Sequence, residues 1–149
     1  MKTRGENALE IALSQVGQTE KPLGSNWGEP VRSYLKSVGI TFPASWCMAF
    51  VYWCFDKEAG NPLVKTGGVM KAWNDAKQWR VAIPQPGDIF IMDFGKGLGH
   101  TGIVERVDAA FIYTIEGNSN NDGSRNGVEV VRHIRSRKNK LIKGYLRYT

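Results

Sequence analysis

The hydrophobic pattern changes character near the middle of the chain. In the first part, apolar residues recur three and four positions apart, the period of a helix buried on one face. Ala8, Leu9, Ala12, Leu13 and Val16 line one side of a segment over residues 6–16, and Gly17 ends it. The stretch TEKPLGSNWGEP, residues 19–30, reads as a loop from its Gly and Pro content. Pro30 suits the first turn of a second helix covering VRSYLKSV and stopping at Gly39. Ser45 is the expected N-cap of a third helix, from Trp46 to about Glu58, ended by Gly-Asn-Pro. A fourth helix is expected from about Val69 to Trp79. After Pro84 the pattern shortens to β-branched and aromatic runs separated by Gly, Asn and Asp: DIFIMDF, TGIVERVD, FIYTIEG, VEVVRHI and LIKGYLRY. Helices followed by about five antiparallel strands predict an α+β fold.

Composition narrows this picture. At 149 residues, with 17 glycines and no repeat or long linker, the chain suits one domain spanning 1–149. No apolar run approaches the roughly 20 residues that span a bilayer. The start, MKTRGENALEIALSQVG, is interrupted by Glu6, Asn7, Glu10, Ser14 and Gln15, so it reads as an amphipathic helix and not as a secretory signal. The expectation is a protein made in the cytoplasm that needs another route to any target outside it.

The net charge of +6 is unevenly placed. Residues 1–131 hold 13 Lys/Arg and all 14 Asp/Glu, whereas residues 132–149 hold Arg132, Arg135, Arg137, Lys138, Lys140, Lys143 and Arg147 with no acid. Such a segment suits a polyanion such as nucleic acid, an anionic membrane or an acidic cell wall, or else is a solvated strand edge.

Both cysteines lie in PASWCMAFVYWCF, residues 43–55. On a helix, positions 47 and 54 are about 10.5 Å apart at 1.5 Å per residue. A disulfide needs Cα atoms closer than about 7 Å. Two cysteines and two histidines without a C-x-x-C pair offer no zinc ligand set. Cys54, in mid-helix among Ala49, Phe50, Val51 and Phe55, is expected to fill the core. Cys47 falls in the first turn, where unpaired N–H groups and the helix dipole favour a thiolate. A thiolate nucleophile calls for a histidine from another element. His133 reads as a surface or edge residue, whereas His100 follows the glycine-rich GKGLG and opens a strand. Glu116 and Asn118, at i and i+2 in FIYTIEGN, share a strand face, and either could orient His100.

SWCMAFVYWC around Cys47, PGDIFIMDFGKGLGHTGIVERV around His100 and IYTIEGN around Glu116 together resemble the CHAP family, the cysteine, histidine-dependent amidohydrolases/peptidases of the NlpC-like, papain-related superfamily. GSNWGEPVRSYLKSVG resembles the upstream part of small single-domain members. The resemblance implies a papain-like/NlpC-like α+β fold and hydrolysis of amide bonds in peptidoglycan, as N-acetylmuramoyl-L-alanine amidase or endopeptidase. It assigns Cys47 as nucleophile, His100 as base and then acid, Glu116 as orienter and Asn118 as a polar neighbour. The Cys47 N–H would form half of an oxyanion hole, with Asn26 as a nearby side-chain donor and Trp27 and Trp46 lining the cleft. Calcium-dependent members carry an acidic loop ahead of the cysteine; EKPLGSNWGEP lacks it, and NSNNDG near residue 120 lacks the acidic pattern, so no metal and no cofactor are expected. The implied partner is peptidoglycan, reached as a monomer without specific nucleic-acid binding, through holin-type release of an endolysin or secretion of an antibacterial toxin. A toxin would imply a cognate immunity protein. The alternatives are a basic nucleic-acid-binding module and a thiol amidase or acyl transferase of the same fold with non-wall substrates.

Overall fold

The computed structural model describes residues 2–57, 60–119 and 127–149. Helix α1 (Arg4–Ser14) starts two residues earlier than the pattern predicts, because Thr3 and Glu6 form a reciprocal capping box. Val16, expected on its buried face, lies past the helix end and is 39% exposed. Helix α2 (Val31–Ser37) follows Pro30, and helix α3 (Cys47–Phe55) carries both cysteines. Glu58, the expected end of α3, lies outside the described residues.

Two expectations about helix ends need correction. Ser45 does not cap α3: Trp46 occupies the N-cap position, and no side chain of its own segment bonds the open N–H groups. Helix α4 (Val69–Asn74) ends before Trp79 and is followed by a 3-10 turn over Lys77–Trp79. There the Arg80 guanidinium takes the Trp73 carbonyl at 2.8 Å and stacks on the Trp73 ring, so the chain leaves the helical path. That turn feeds a short strand absent from the sequence reading, β1 (Arg80–Val81).

The other strands fall where alternation places them: β2 (Ile89–Gly95), β3 (Leu98–Val107), β4 (Phe111–Ser119), β5 (Glu129–Ser136) and β6 (Ile142–Leu146). They form a six-stranded antiparallel sheet ordered β1-β6-β2-β3-β4-β5. The last strand in sequence is therefore inserted beside β2, and the α+β class holds.

Alternation along the strands gives the sheet two apolar faces. Ile89, Ile91, Ile103 and Ile115 pack against the helices in the main core, while Phe90, Met92, Val104, Ile112 and Tyr145 form a second, smaller cluster. Helix α3 is apolar all round, as a helix buried on every side must be. Tyr34 of α2 ties the helices together: its ring lies 5.6 Å from Trp46, 5.0 Å from Phe50 and 4.9 Å from Trp53, and its hydroxyl donates to Gln15 Oε1.

The fold also resolves the basic C-terminal segment. Arg132 pairs with Glu105, Arg135 with Glu116, Lys143 with Asp93 and Arg147 with Asp88. Arg137 donates to the Asp108 carbonyl. Cations clustered in sequence are spread over the sheet and set against acids from earlier strands. Asp88 is 1% exposed, and Arg147 grips it with a fork of two hydrogen bonds at 2.9 and 2.8 Å. Removing one partner of such a pair strands a buried charge. Arg147→Ala is therefore expected to destabilise the protein by about 2–3 kcal/mol, read by urea unfolding at neutral pH. A loss under about 0.5 kcal/mol would show that this pair does not anchor β6.

Candidate active site

Four chain segments converge at the N-terminal end of α3. Cys47 is the first residue of that helix, so its N–H has no acceptor within the helix. The side chain is 7% exposed. From β3, His100 lies close enough to Cys47 for the sulfur to raise its pKa, and from β4, Glu116 Oε1 lies 2.7 Å from His100 Nε2. With Nε2 engaged by the carboxylate, Nδ1 is the ring nitrogen left for the sulfur. His100 is 2% exposed and Glu116 is fully buried.

Glycines make this approach feasible. A Cβ at position 102, two residues after His100, would lie 2.6 Å from the Ile115 carbonyl oxygen and 2.8 Å from both Glu116 Cγ and Phe90 Cε1. One at position 117 would meet the Trp46 ring and Phe50. The first glycine lets Glu116 lie against β3; the second lets α3 settle on β4. Thr101, between His100 and Gly102, donates to the Phe90 carbonyl at 2.6 Å, which fixes β3 against β2.

Glu116 and Asn118 do not share a task. Between Glu116 and Ser119 the register with β5 shifts, and Asn118 takes a left-handed φ of 55°. Its Oδ1 accepts the Trp46 N–H at 2.8 Å and its Nδ2 donates to the Gly127 carbonyl at 2.6 Å. Asn118 therefore caps α3 from a different element, where Ser45 was expected to do so, and Glu116 alone of the two bonds His100.

The upstream loop joins this arrangement. Glu20, 1% exposed, accepts the Gly24 N–H on one oxygen and the Trp46 Nε1–H on the other, at 2.9 and 2.7 Å. Asn26 has a φ of 54°, and its Oδ1 lies 3.5 Å from Asn118 Nδ2. Trp27 is half-buried against the helical core. Trp46 departs from its expected place: its side chain is fully buried, stacked on Tyr34 and bonded to Glu20, so the ring does not line a cleft.

Arg135 belongs to the site, although its sequence position places it in the basic run. Its Nε and Nη2 reach Glu116 Oε2 and Oε1, both at 2.7 Å, and Thr114 donates to Oε2 at 2.6 Å. Strand alternation was the available signal: Arg135 stands opposite Ile112 in register, on the same face of β4 as Thr114 and Glu116.

Burial pulls the His100 pKa down, but hydrogen bonds to Cys47 and Glu116 and the charges of both outweigh it and raise the value to about 9. Burial raises that of Glu116, and Arg135 and His100 reverse this and hold it down at about 2. At neutral pH the histidine is therefore an imidazolium beside an ionised carboxylate. Burial pushes the Cys54 thiol well above its ordinary value, as expected of a core residue. Both cysteines are free. Among the described residues no group of three or more His, Cys, Asp or Glu is placed to hold a metal ion. Of the NSNNDG segment weighed for calcium, residues 120–123 lie outside them.

The family model described as the CHAP domain matches residues 39–118, which include Cys47, His100, Glu116 and Asn118. The chain belongs to the CHAP domain family. No curated protein matches it. Among solved structures, the chain is similar to the crystal structure of Ly7917, with a TM-score of 0.57 at 19% identity over 99% of this chain and 62% of that one. A second structure of Ly7917, with the hydrolyzing product of MDP, aligns with a TM-score of 0.57 at 17% identity over 97% and 62% of the two chains. The wild type endolysin LysIME-EF1 aligns with a TM-score of 0.60 at 16% identity over 99% and 65%. These likenesses establish the fold, and this chain spans less than two thirds of each of those proteins.

Because position 102 has no room for a side chain, Gly102→Ala is expected to lower stability by about 1–3 kcal/mol through overpacking. Thermal unfolding reads this directly, and a variant melting with the wild type would show that β3 and Glu116 are not closely packed.

Proposed function

We propose that this CHAP domain hydrolyses an amide bond of bacterial peptidoglycan through a Cys47 thiolate. The observation that carries the reading is His100 held between the Cys47 thiol at a helix start and the buried Glu116 carboxylate. The endolysin LysIME-EF1 among the structural neighbours supports the wall as target.

The raised His100 pKa changes how the reaction begins. A histidine already protonated at neutral pH does not need to extract a proton from Cys47 during attack. The sulfur adds as its thiolate to the substrate carbonyl carbon. Negative charge then moves to the carbonyl oxygen, where the open N–H of Cys47 points. Asn26 is the candidate second donor through its Nδ2, because its Oδ1 faces Asn118. As the tetrahedral adduct collapses, His100 gives its Nδ1 proton to the departing amine, leaving a thioester on Cys47 and a neutral imidazole. Water attacks the thioester with His100 as base, and the carboxylic acid leaves as the ion pair re-forms. Glu116 keeps the ring oriented and stabilises its cationic form, and Asn118 holds the helix that carries the sulfur.

Both an N-acetylmuramoyl-L-alanine amidase and an endopeptidase share this chemistry, and an endolysin released through a holin or a secreted toxin countered by an immunity protein would each use it. The nucleic-acid alternative is disfavoured because Arg135, one of the basic residues of that C-terminal segment, faces Glu116 inside the fold.

Cys47→Ala should abolish release of new amines from purified sacculi, while Cys54→Ala retains most of it. Retention in both would remove the thiol from the mechanism. His100→Ala should lower kcat about 10²–10⁴-fold, the usual share of a positioned acid and base.

The pH profile follows from the same pair. The active form needs the His100 proton, so kcat/KM should decline as pH rises through about 9. Glu116→Gln removes a negative charge that helps hold this proton, so the alkaline limb should move to lower pH. A limb that stays in place would mean that Glu116 does not govern His100.

A further inference from the structure

Arg135 makes the most complete ion pair at the site, and the reaction as described gives it no part. Its planar fork meets both oxygens of Glu116 at 2.7 Å, with its side chain 9% exposed. The guanidinium carbon lies 5.7 Å from the Phe90 ring centre, and that ring also meets His100, at 6.2 Å between centroids. Phe90 thus forms a common floor beneath both cationic partners of the carboxylate.

We propose that Arg135 is a positioning residue of the active site, whose fork orients Glu116 toward His100 and keeps it ionised on the acid side of neutrality, thereby setting the lowest pH at which the enzyme works. This rests on the catalytic reading of Cys47, His100 and Glu116.

The argument starts from charge and geometry. A fully buried carboxylate loses its hydration, and that loss favours the neutral acid. His100 from β3 offers one hydrogen bond, and Thr114, on β4 with Glu116 itself, offers another, without charge. Cys47 of α3 approaches through His100, and as a thiolate it offsets part of the imidazolium's attraction. On β5, His133 meets Thr114 through its backbone carbonyl. Arg135 supplies the remaining positive charge. With it, thiolate, imidazolium, carboxylate and guanidinium sum to zero; without it, the buried set carries a net negative charge that protonation of Glu116 would relieve. Orientation follows from the same contact, because two parallel bonds fix the carboxylate plane in a way that one point charge does not.

Two variants in the full chain separate these effects. In Arg135→Gln, the Glu116 carboxyl carbon, followed by NMR and assigned with Glu116→Gln, should titrate at least about one pH unit higher than in the wild type. Its kcat/KM on sacculi should fall away on the acid side at a pH higher than in the wild type by the same interval as the carboxyl titration. Arg135→Lys keeps the cation but not the fork: the acid limb should stay near that of the wild type while kcat drops several-fold. Exposed Lys138→Gln serves as the charge control and should change neither readout. An unchanged Glu116 titration in Arg135→Gln, or a loss uniform across pH, would overturn the proposal. If Arg135→Gln does not fold, Arg135→Lys decides, since wild-type kcat there would show that the fork is dispensable. The carboxyl titration needs no substrate. Should the wild type leave sacculi intact, the peptidoglycan reading fails and the titration alone decides the role of Arg135.

Discussion

The Glu116 carboxylate is excluded from water, and it remains ionised because four hydrogen bonds from three strands reach it. His100, Thr114 and Arg135 supply them, two carrying positive charge. Burial disfavours an ion by several kcal/mol unless such partners are in place. The site's electrostatics follow from this one constraint. An ionised Glu116 helps hold a proton on His100, the neighbour of Cys47. The sheet is thus as much a part of the chemistry as the helix that presents the sulfur.

Delivering the sulfur is a packing problem. Helix α3 begins without a cap from its own segment, so its position is not set locally. Asn118 closes the first turn from β4, Glu20 grips the Trp46 indole from the upstream loop, and Tyr34 stacks on the same ring from α2. Trp46 is therefore the fixed point beside Cys47. The glycine at 117 lets its ring lie against β4, where any Cβ would meet it at 2.8 Å. Anchoring one large residue from three directions, through its backbone and its ring, fixes the adjacent Cys47.

Much of this was legible in the residues. The change from a helical period to alternation gave the α+β class, and the first-turn position distinguished Cys47 from Cys54 before any contact was known. His100 over His133 followed from its glycine-rich approach. What misled were features whose meaning depends on distant partners. Ser45 is a good capping residue by type, yet an asparagine 73 positions further on takes that role. Trp46 beside the nucleophile suggested a cleft wall, but an indole with a buried carboxylate to bond is drawn inward. The C-terminal cations looked like an uncommitted patch because sequence proximity groups charges that strand pairing separates.

Sequence by itself determined the element types, the core faces and the chemical identity of the site: one thiol at a helix start, one strand-end histidine and a strand carboxylate. These are local properties, set by side-chain periodicity and by the dipole of a single helix. Tertiary structure alone decided that Glu116 and not Asn118 bonds His100, that Asn118 caps α3, and that Arg135 completes the buried charge set. Each of these depends on a register shift, a left-handed residue or the facing of two strands. Such choices arise when backbone pairing and burial are satisfied together, so no short stretch of the chain records them.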